Sequence, residues 1–277
     1  MTRPIAYMPI ETYPDAAPDA DILGTMDYAE AQGIALHVTT FAVDVPPVSM
    51  PAESVVSLEA MARAVEERST AECERVKALL ERAPGPGHEP QVSLRRVHMG
   101  AAFDAASAEA RYFDLSILPW SAKRVAGHDL AQALLFGSGR PVILVPAGTS
   151  AARVNHIAVA WDESRAAARA VGDALSLLSR SVRISVLTVG DEKALRDAAL
   201  SESLAAGLAR RGYETEAVDL ALGGRNISAA LQDGARAQGA QLLVMGGFGH
   251  SRLREFFLGG ATQGILTGLK LPVLLSH

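Results

Sequence analysis

The sequence holds a single cysteine, Cys73, in 277 residues. That excludes an intrachain disulfide and a zinc site built from cysteines. Cys73 falls in a helical pattern and reads as a helix residue. Aromatics make up only 5% of the chain, so small aliphatics must fill the interior, as they do in layered α/β sheets. None of the four lysines, Lys77, Lys123, Lys193 and Lys270, precedes serine or threonine, so there is no Walker A loop. The net charge of −5 gives no basic footprint, and no nucleic-acid partner is expected. No apolar run approaches membrane-spanning length, and Met1-Thr2-Arg3-Pro4 does not open a signal peptide. A soluble, cytoplasmic protein with no membrane partner is the expectation. The seven histidines lack helical metal-ligand spacing, and Asp15, Asp19 and Asp21 lack the glycine and terminal glutamate of a calcium loop. Ser138 and Ser251 lack the G-x-S-x-G elbow. No metal site and no catalytic residue is expected.

What the chain does have is 49% hydrophobic residues, ample for sizeable cores, arranged in strand–helix alternation that occurs twice. Residues 4–10 read as a strand, Asp15 to Gln32 as a helix ending at Gly33, and Ile34 to Val43 as a strand. A proline-rich loop follows, then a long helix from Ser54 to Arg82. Val92 to Val97, Asp114 to Pro119 and Pro141 to Val145 are strands, with helices at Ala101 to Arg111 and Leu130 to Phe136. Ala147 to Arg153 is small, polar and glycine-containing, a linker. The pattern then restarts with strand Ile157 to Asp162 and helix Ser164 to Leu178. Strand Val182 to Val189, helix Glu192 to Arg211, strand Thr215 to Leu220 and helix Asn226 to Gln238 follow. Aligned by eye, Ile5 pairs with Ile157, Leu118 with Met245, and Arg140–Val145 with Leu271–Ser276. Such a repeat argues for two βαβαβαβαβ units, each with a parallel sheet. The expected units are 1–147 and 148–277.

One stretch carries the strongest signal, LLVMGGFGHSRLREFFLGGAT from Leu242 to Thr262. A buried-strand run breaks at Gly246-Gly247-Phe248-Gly249, and a second glycine pair follows at Gly259-Gly260. The spacing is G-x2-G-x9-G after a strand, where backbone N–H groups can line an anion-binding concavity. In a sheet of this kind the ligand crevice opens at the carboxyl ends of strands where the winding reverses. In the second unit that brings Trp161-Asp162 beside Met245-Gly246.

The pattern resembles the nucleotide loop of the universal stress protein family, usually G-x2-G-x9-G-[ST]. Gly246, Gly249 and Gly259 match, and Gly260 stands where the family has Ser or Thr. The resemblance covers essentially the whole chain and implies two tandem doubly wound domains, each a five-stranded parallel sheet of order 3-2-1-4-5 flanked by helices. It implies an adenine nucleotide, ATP with or without Mg2+, in the C-terminal unit, and a role in the stress response. Asp162 matches an acidic residue that the family sets against ribose or base, and otherwise reads as a helix cap. Val189 matches a position whose backbone recognises adenine. Gly260 offers a phosphate only its N–H, while Thr262 can supply a hydroxyl. Arg252 and Arg254 read as a solvated face or dimer contacts before phosphate ligands.

The first unit has Pro119-Trp120-Ser121-Ala122 where the second has its leading glycines, and Glu11 in place of the aspartate. Its crevice is expected to be degenerate, filled or reshaped by Pro119 and Trp120. Edge pairing of the two final strands is expected to make an intrachain pseudo-dimer, with a homodimer of chains as a further assembly. Three functions compete: a nucleotide-binding regulatory protein without catalysis, a slow ATPase or other adenine-nucleotide enzyme, and a non-binding association scaffold.

Overall fold

The computed structural model describes residues 3–14, 16–46, 55–82, 90–178, 181–190, 200–247 and 260–277. Ten strands form one sheet: β1 (Ile5–Glu11), β2 (Ala35–Asp44), β3 (Gln91–His98), β4 (Leu115–Trp120), β5 (Val142–Pro146), β6 (His156–Ala160), β7 (Arg183–Gly190), β8 (Thr215–Ala221), β9 (Leu242–Gly246) and β10 (Val273–Ser276). Their order is β3-β2-β1-β4-β5-β10-β9-β6-β7-β8, so each half has the expected 3-2-1-4-5 sequence of strands. The described helices are α1 (Asp19–Ala31), α2 (Val55–Arg82), α3 (Ala102–Ala110), α4 (Val125–Gly137), α5 (Arg165–Leu177), α6 (Leu200–Ala209), α7 (Ile227–Ala237) and α8 (Gly260–Thr267).

Strand alternation assigns side chains to the two layers of helices. In β1, Ala6, Met8 and Ile10 face α1 and α2, whereas Tyr7 faces α3 and α4; in β9, Leu242 and Val244 join the first layer, Leu243 and Met245 the second. Both faces of the central strands are therefore apolar, which is why they read as continuous hydrophobic runs rather than as alternating ones. Helix α1 begins later than its pattern suggests, at Asp19, because Pro18 holds an extended conformation (φ −57°, ψ 146°). It stops at Gly33, whose φ of 73° lets Ile34 N–H reach back to Ala29 O at 3.0 Å. That closes the helix end in the way a left-handed glycine permits.

Within each half every described pairing is parallel, and the halves join through one antiparallel pair, β5 with β10. In that pair Ile143 sits opposite Leu274. These are equivalent positions of the repeat, so a pseudo-twofold axis passes between them, and the contact is self-complementary as in a symmetric dimer. Two edge strands thereby cover each other, removing two edges that would otherwise be open. The segment between β5 and β6 is pinned at its β6 end by two glutamine amides. Gln32 donates to Ala152 O (2.9 Å) and accepts from Val154 N (2.7 Å); Gln241 accepts from Asn155 N at 2.9 Å.

Candidate functional site

β6 and β9 lie side by side, with Ile157 opposite Leu242 and Val159 opposite Val244. After β6 the chain enters α5, whose Ala170, Val171 and Ala174 pack on one face of the sheet. The helix after β9 is α8, whose Ile265 and Leu266 pack on the other. Two adjacent parallel strands followed by helices on opposite faces leave a crevice at their carboxyl ends. The expected site residues Asp162 and Gly246 share that edge.

Gly246, the last residue of β9, is in close contact with the protein itself. A Cβ there would stand 2.5 Å from Ala167 N, 2.6 Å from Ala166 C and 2.8 Å from Ala166 Cβ. The glycine lets the first turn of α5 seat directly on the strand end. Gly247 is similarly hemmed in, since its Cβ would fall 2.7 Å from a methyl of Leu135 on α4 of the first half. Its N–H bonds Ser276 O at 2.8 Å and its carbonyl accepts from His277 Nδ1 at 3.1 Å. The sequence reading put these glycines where a ligand approaches; what approaches both of them here is neighbouring protein.

Asp162 is exposed, and its Oδ1 accepts from Ser164 N at 3.0 Å. Ser164, not Asp162, is the helix cap: its Oγ accepts from Ala167 N at 3.0 Å. Between them Glu163 adopts φ 58°, left-handed backbone that non-glycine residues enter at a cost of about 1–2 kcal/mol. The sequence gives no sign of this strain, although Asp162 two positions before the cap is the turn former that supports it.

Val189 is placed by ladder parity. Arg183 N–H bonds Asn155 O at 2.8 Å and Leu187 O accepts from Trp161 N at 2.8 Å, so odd-numbered residues of β7 turn their main-chain groups toward β6. The last β6–β7 pair is Ala160 with Leu187. Val189 turns its N–H and C=O to the same side past that point, toward the crevice. Gly260 and Thr262 lie in the first turn of α8, while Gly249, Gly259, Arg252 and Arg254 lie outside the described residues. Asp162, Val189 and Gly246 are thus gathered at one strand edge.

The first half differs at the same place. The register corrects the alignment by one residue: Leu115 and Leu242 are equivalent and pair with Ala6 and Ile157 respectively. Ala6, not Ile5, is the counterpart of Ile157. Ala6 and Ile157 are both fully buried, whereas Ile5, the first residue of β1, is 45% exposed. Glu11 then stands where the second half has Asp162. It is buried, and Arg124, which precedes α4, donates to its Oε1 at 2.7 Å. Pro9, Ile10, Leu118 and Pro119 close around the pair, leaving about 10 Å³, the space of one water. Burial pushes the Glu11 carboxyl up to about 7, even though Arg124 pulls it down.

Trp120 does not fill this crevice, contrary to expectation. As the last residue of β4 it turns to the opposite layer, packs at a tilt against His128 (4.6 Å between centroids) and donates from Nε1 to Leu266 O of the second half at 3.1 Å. The ion pair closes the first crevice instead. Arg124 carried no signal in the sequence because its partner lies 113 positions away.

At the amino edge of the second half, Ser185 Oγ lies 2.7 Å from His156 Nε2 and donates to Glu216 Oε1 at 2.6 Å. The hydroxyl has one proton and gives it to the carboxylate, so His156 Nε2 must be the donor to Ser185. That order cannot activate a nucleophile; it satisfies buried polar groups.

Residues 153–277 match the model of the universal stress protein family. A universal stress protein from Archaeoglobus fulgidus DSM 4304 superposes with a TM-score of 0.62 at 13% identity, covering 98% of this chain and 97% of its own. A functionally unknown protein from Pseudomonas aeruginosa PAO1 does so with a TM-score of 0.53 at 15% identity, over 98% and 92%. No curated protein matches the chain. At such identities the superpositions speak to fold alone, and both run through the two halves. Residues 153–277 thus match the universal stress protein family by sequence, and nearly the whole chain shares the two-half fold of a universal stress protein.

Proposed function

We propose that this chain is an adenine-nucleotide-binding regulatory protein of the stress response, with ATP, with or without Mg2+, taken up by unit 148–277 and not by unit 1–147. The observation that carries the reading is the contrast between two equivalent crevices. In the first, Arg124 and the buried Glu11 leave room for one water. In the second, the equivalent acid, Asp162, is exposed, and the main chain of Val189 extends past the last β6 pairing. Val189 would meet the base, Asp162 the ribose, and the glycine stretch with Gly260 and Thr262 at the start of α8 the phosphates.

Binding without turnover is part of the proposal. Phosphoryl transfer needs a positioned nucleophile and a held metal, whereas the Asp162 carboxylate is engaged in the turn before α5. Isothermal titration of ATP should give one site per chain, and nucleotide released from freshly purified, denatured protein should be adenine-based. Two equivalent sites, or none, overturns the reading. Steady-state phosphate release at about 1 per second or faster would move it to an ATPase. Nucleotide indifference would leave the association scaffold.

A further inference from the structure

The two halves are not symmetric where they cross. Leu115 and Leu242 are equivalent, so Trp120 corresponds to Gly247, each five residues on. Leu135 of α4 and Leu266 of α8 correspond likewise, each six residues before the proline, Pro141 or Pro272, that precedes the final strand of its half. Trp120 reaches Leu266, donating from Nε1 to its carbonyl at 3.1 Å. Gly247 receives Leu135, whose methyl stands 2.7 Å from where a Cβ would be. These are the same contact on either side of the pseudo-twofold axis, with the largest side chain at one and none at the other. A symmetric pair of identical subunits would carry one residue at both places. Joining the halves in one chain lets them differ.

The tryptophan side of this contact falls on α8. An eight-residue helix is too short to hold itself in water, and the last four carbonyls of a helix lack intrahelical partners. In α8 the Gly264 carbonyl accepts from Thr267 Oγ1 at 3.1 Å and the Ile265 carbonyl from Gly268 N at 3.1 Å, both local bonds. The Leu266 carbonyl takes its partner from the other half, from an indole that is 3% exposed. On its other flank α8 meets its own half, where Gly264 comes so close to Ser228 of α7 that a Cβ would collide with the hydroxyl. The helix is thus seated between Ser228 of its own half and Trp120 of the first. Both described ends of the glycine stretch bear on the first half, Gly247 through Leu135 and α8 through Trp120.

We propose that the first half is a positioning element for the nucleotide crevice of the second, with Trp120 as the residue that sets α8 and, with it, Gly260 at the start of that helix. The proposal rests on the nucleotide reading and adds what unit 1–147, whose own crevice is closed, contributes to it. Trp120 acts through α8 and not on the ligand.

The test is Trp120→Phe in the full chain, which keeps an aromatic ring and removes the N–H, read by amide hydrogen exchange and by isothermal titration of ATP. Loss of one hydrogen bond is worth a factor of about two to ten. Without nucleotide, the amides of Gly264 to Gly268 should exchange faster by that factor, while those of Ala170 to Ala174 in α5 keep their protection. ATP should bind more weakly by a similar factor, still at one site per chain. Saturating ATP should return the α8 amides of the variant to wild-type protection, because coupling between α8 and nucleotide is reciprocal. A contact that only stabilises the fold would not respond in this way. Unchanged α8 exchange in Trp120→Phe, wild-type ATP affinity despite a loosened α8, or protection lost throughout the chain would each overturn the proposal and leave the nucleotide reading standing. Absence of ATP binding by the unaltered chain would overturn that reading, and this proposal with it.

Discussion

Gly246→Ala tests how the candidate crevice is built. The added Cβ would lie 2.5–2.8 Å from Ala167 N, Ala166 C and Ala166 Cβ. Two of those three atoms are backbone of α5, so no side-chain rotation relieves the contact. Either the first turn of α5 lifts from the strand end or the end of β9 shifts. Overpacking of this kind costs about 1–3 kcal/mol, and backbone neighbours place it toward the upper end. For a domain of this size each kcal/mol lowers Tm by roughly 2–4 °C. Thermal unfolding by circular dichroism should therefore show a loss of roughly 4–12 °C. Because α5 forms one wall of the crevice, ATP affinity measured in parallel should fall as well. An unchanged Tm with lost binding would refute this reasoning, because it would mean that the Cβ meets ligand and not α5.

Gly172→Ala, in the same helix, is the opposite case: its φ is ordinary and nothing lies within 4 Å of the new methyl. It should gain about 0.5–1 kcal/mol in urea unfolding, and destabilisation would contradict the open surface. Ser164→Ala removes the acceptor of Ala167 N and should cost about 1 kcal/mol; an unchanged urea midpoint would remove Ser164 as the cap. Glu11 makes stability depend on pH in the direction opposite to an ordinary ion-paired acid. Its folded pKa, about 7, lies above the ordinary carboxyl value of 4.5. Between those values the folded chain holds a proton that the unfolded chain has released, so stability falls as pH rises through the window. The full effect is about 3 kcal/mol. Glu11→Gln should flatten that slope between pH 5 and 8, and an identical slope in the variant would show that Glu11 is not its source.

The sequence alone determined the repeat, the strand–helix alternation and the architecture of both halves. Those depend on local apolar runs, such as Leu242–Met245, and on breakers such as Gly33, whose effects act within a few residues. It also placed the start of a helix at Asn226, whose side chain accepts from Ala229 N, but offered Asp162 as the cap before α5, where Ser164 accepts from Ala167 N. Strand register was only nearly legible. Pairing Ile5 with Ile157 is one residue off, because Ile5 and Ala6 are both apolar and only the partner strands fix which of them matches Ile157. What closes the first crevice was decided by tertiary structure alone. Glu11 and Arg124 are brought together from distant parts of the chain, whereas Trp120, the bulky residue at the right sequence position, points to the other layer because of its parity in β4. The role of Gly246 was likewise invisible. A glycine before a loop looks the same whether a phosphate or a helix approaches it, and here the packing of α5 brings backbone atoms of Ala166 and Ala167 against it. Local composition sets which elements form, while contacts made across the sheet decide which equivalent crevice stays open.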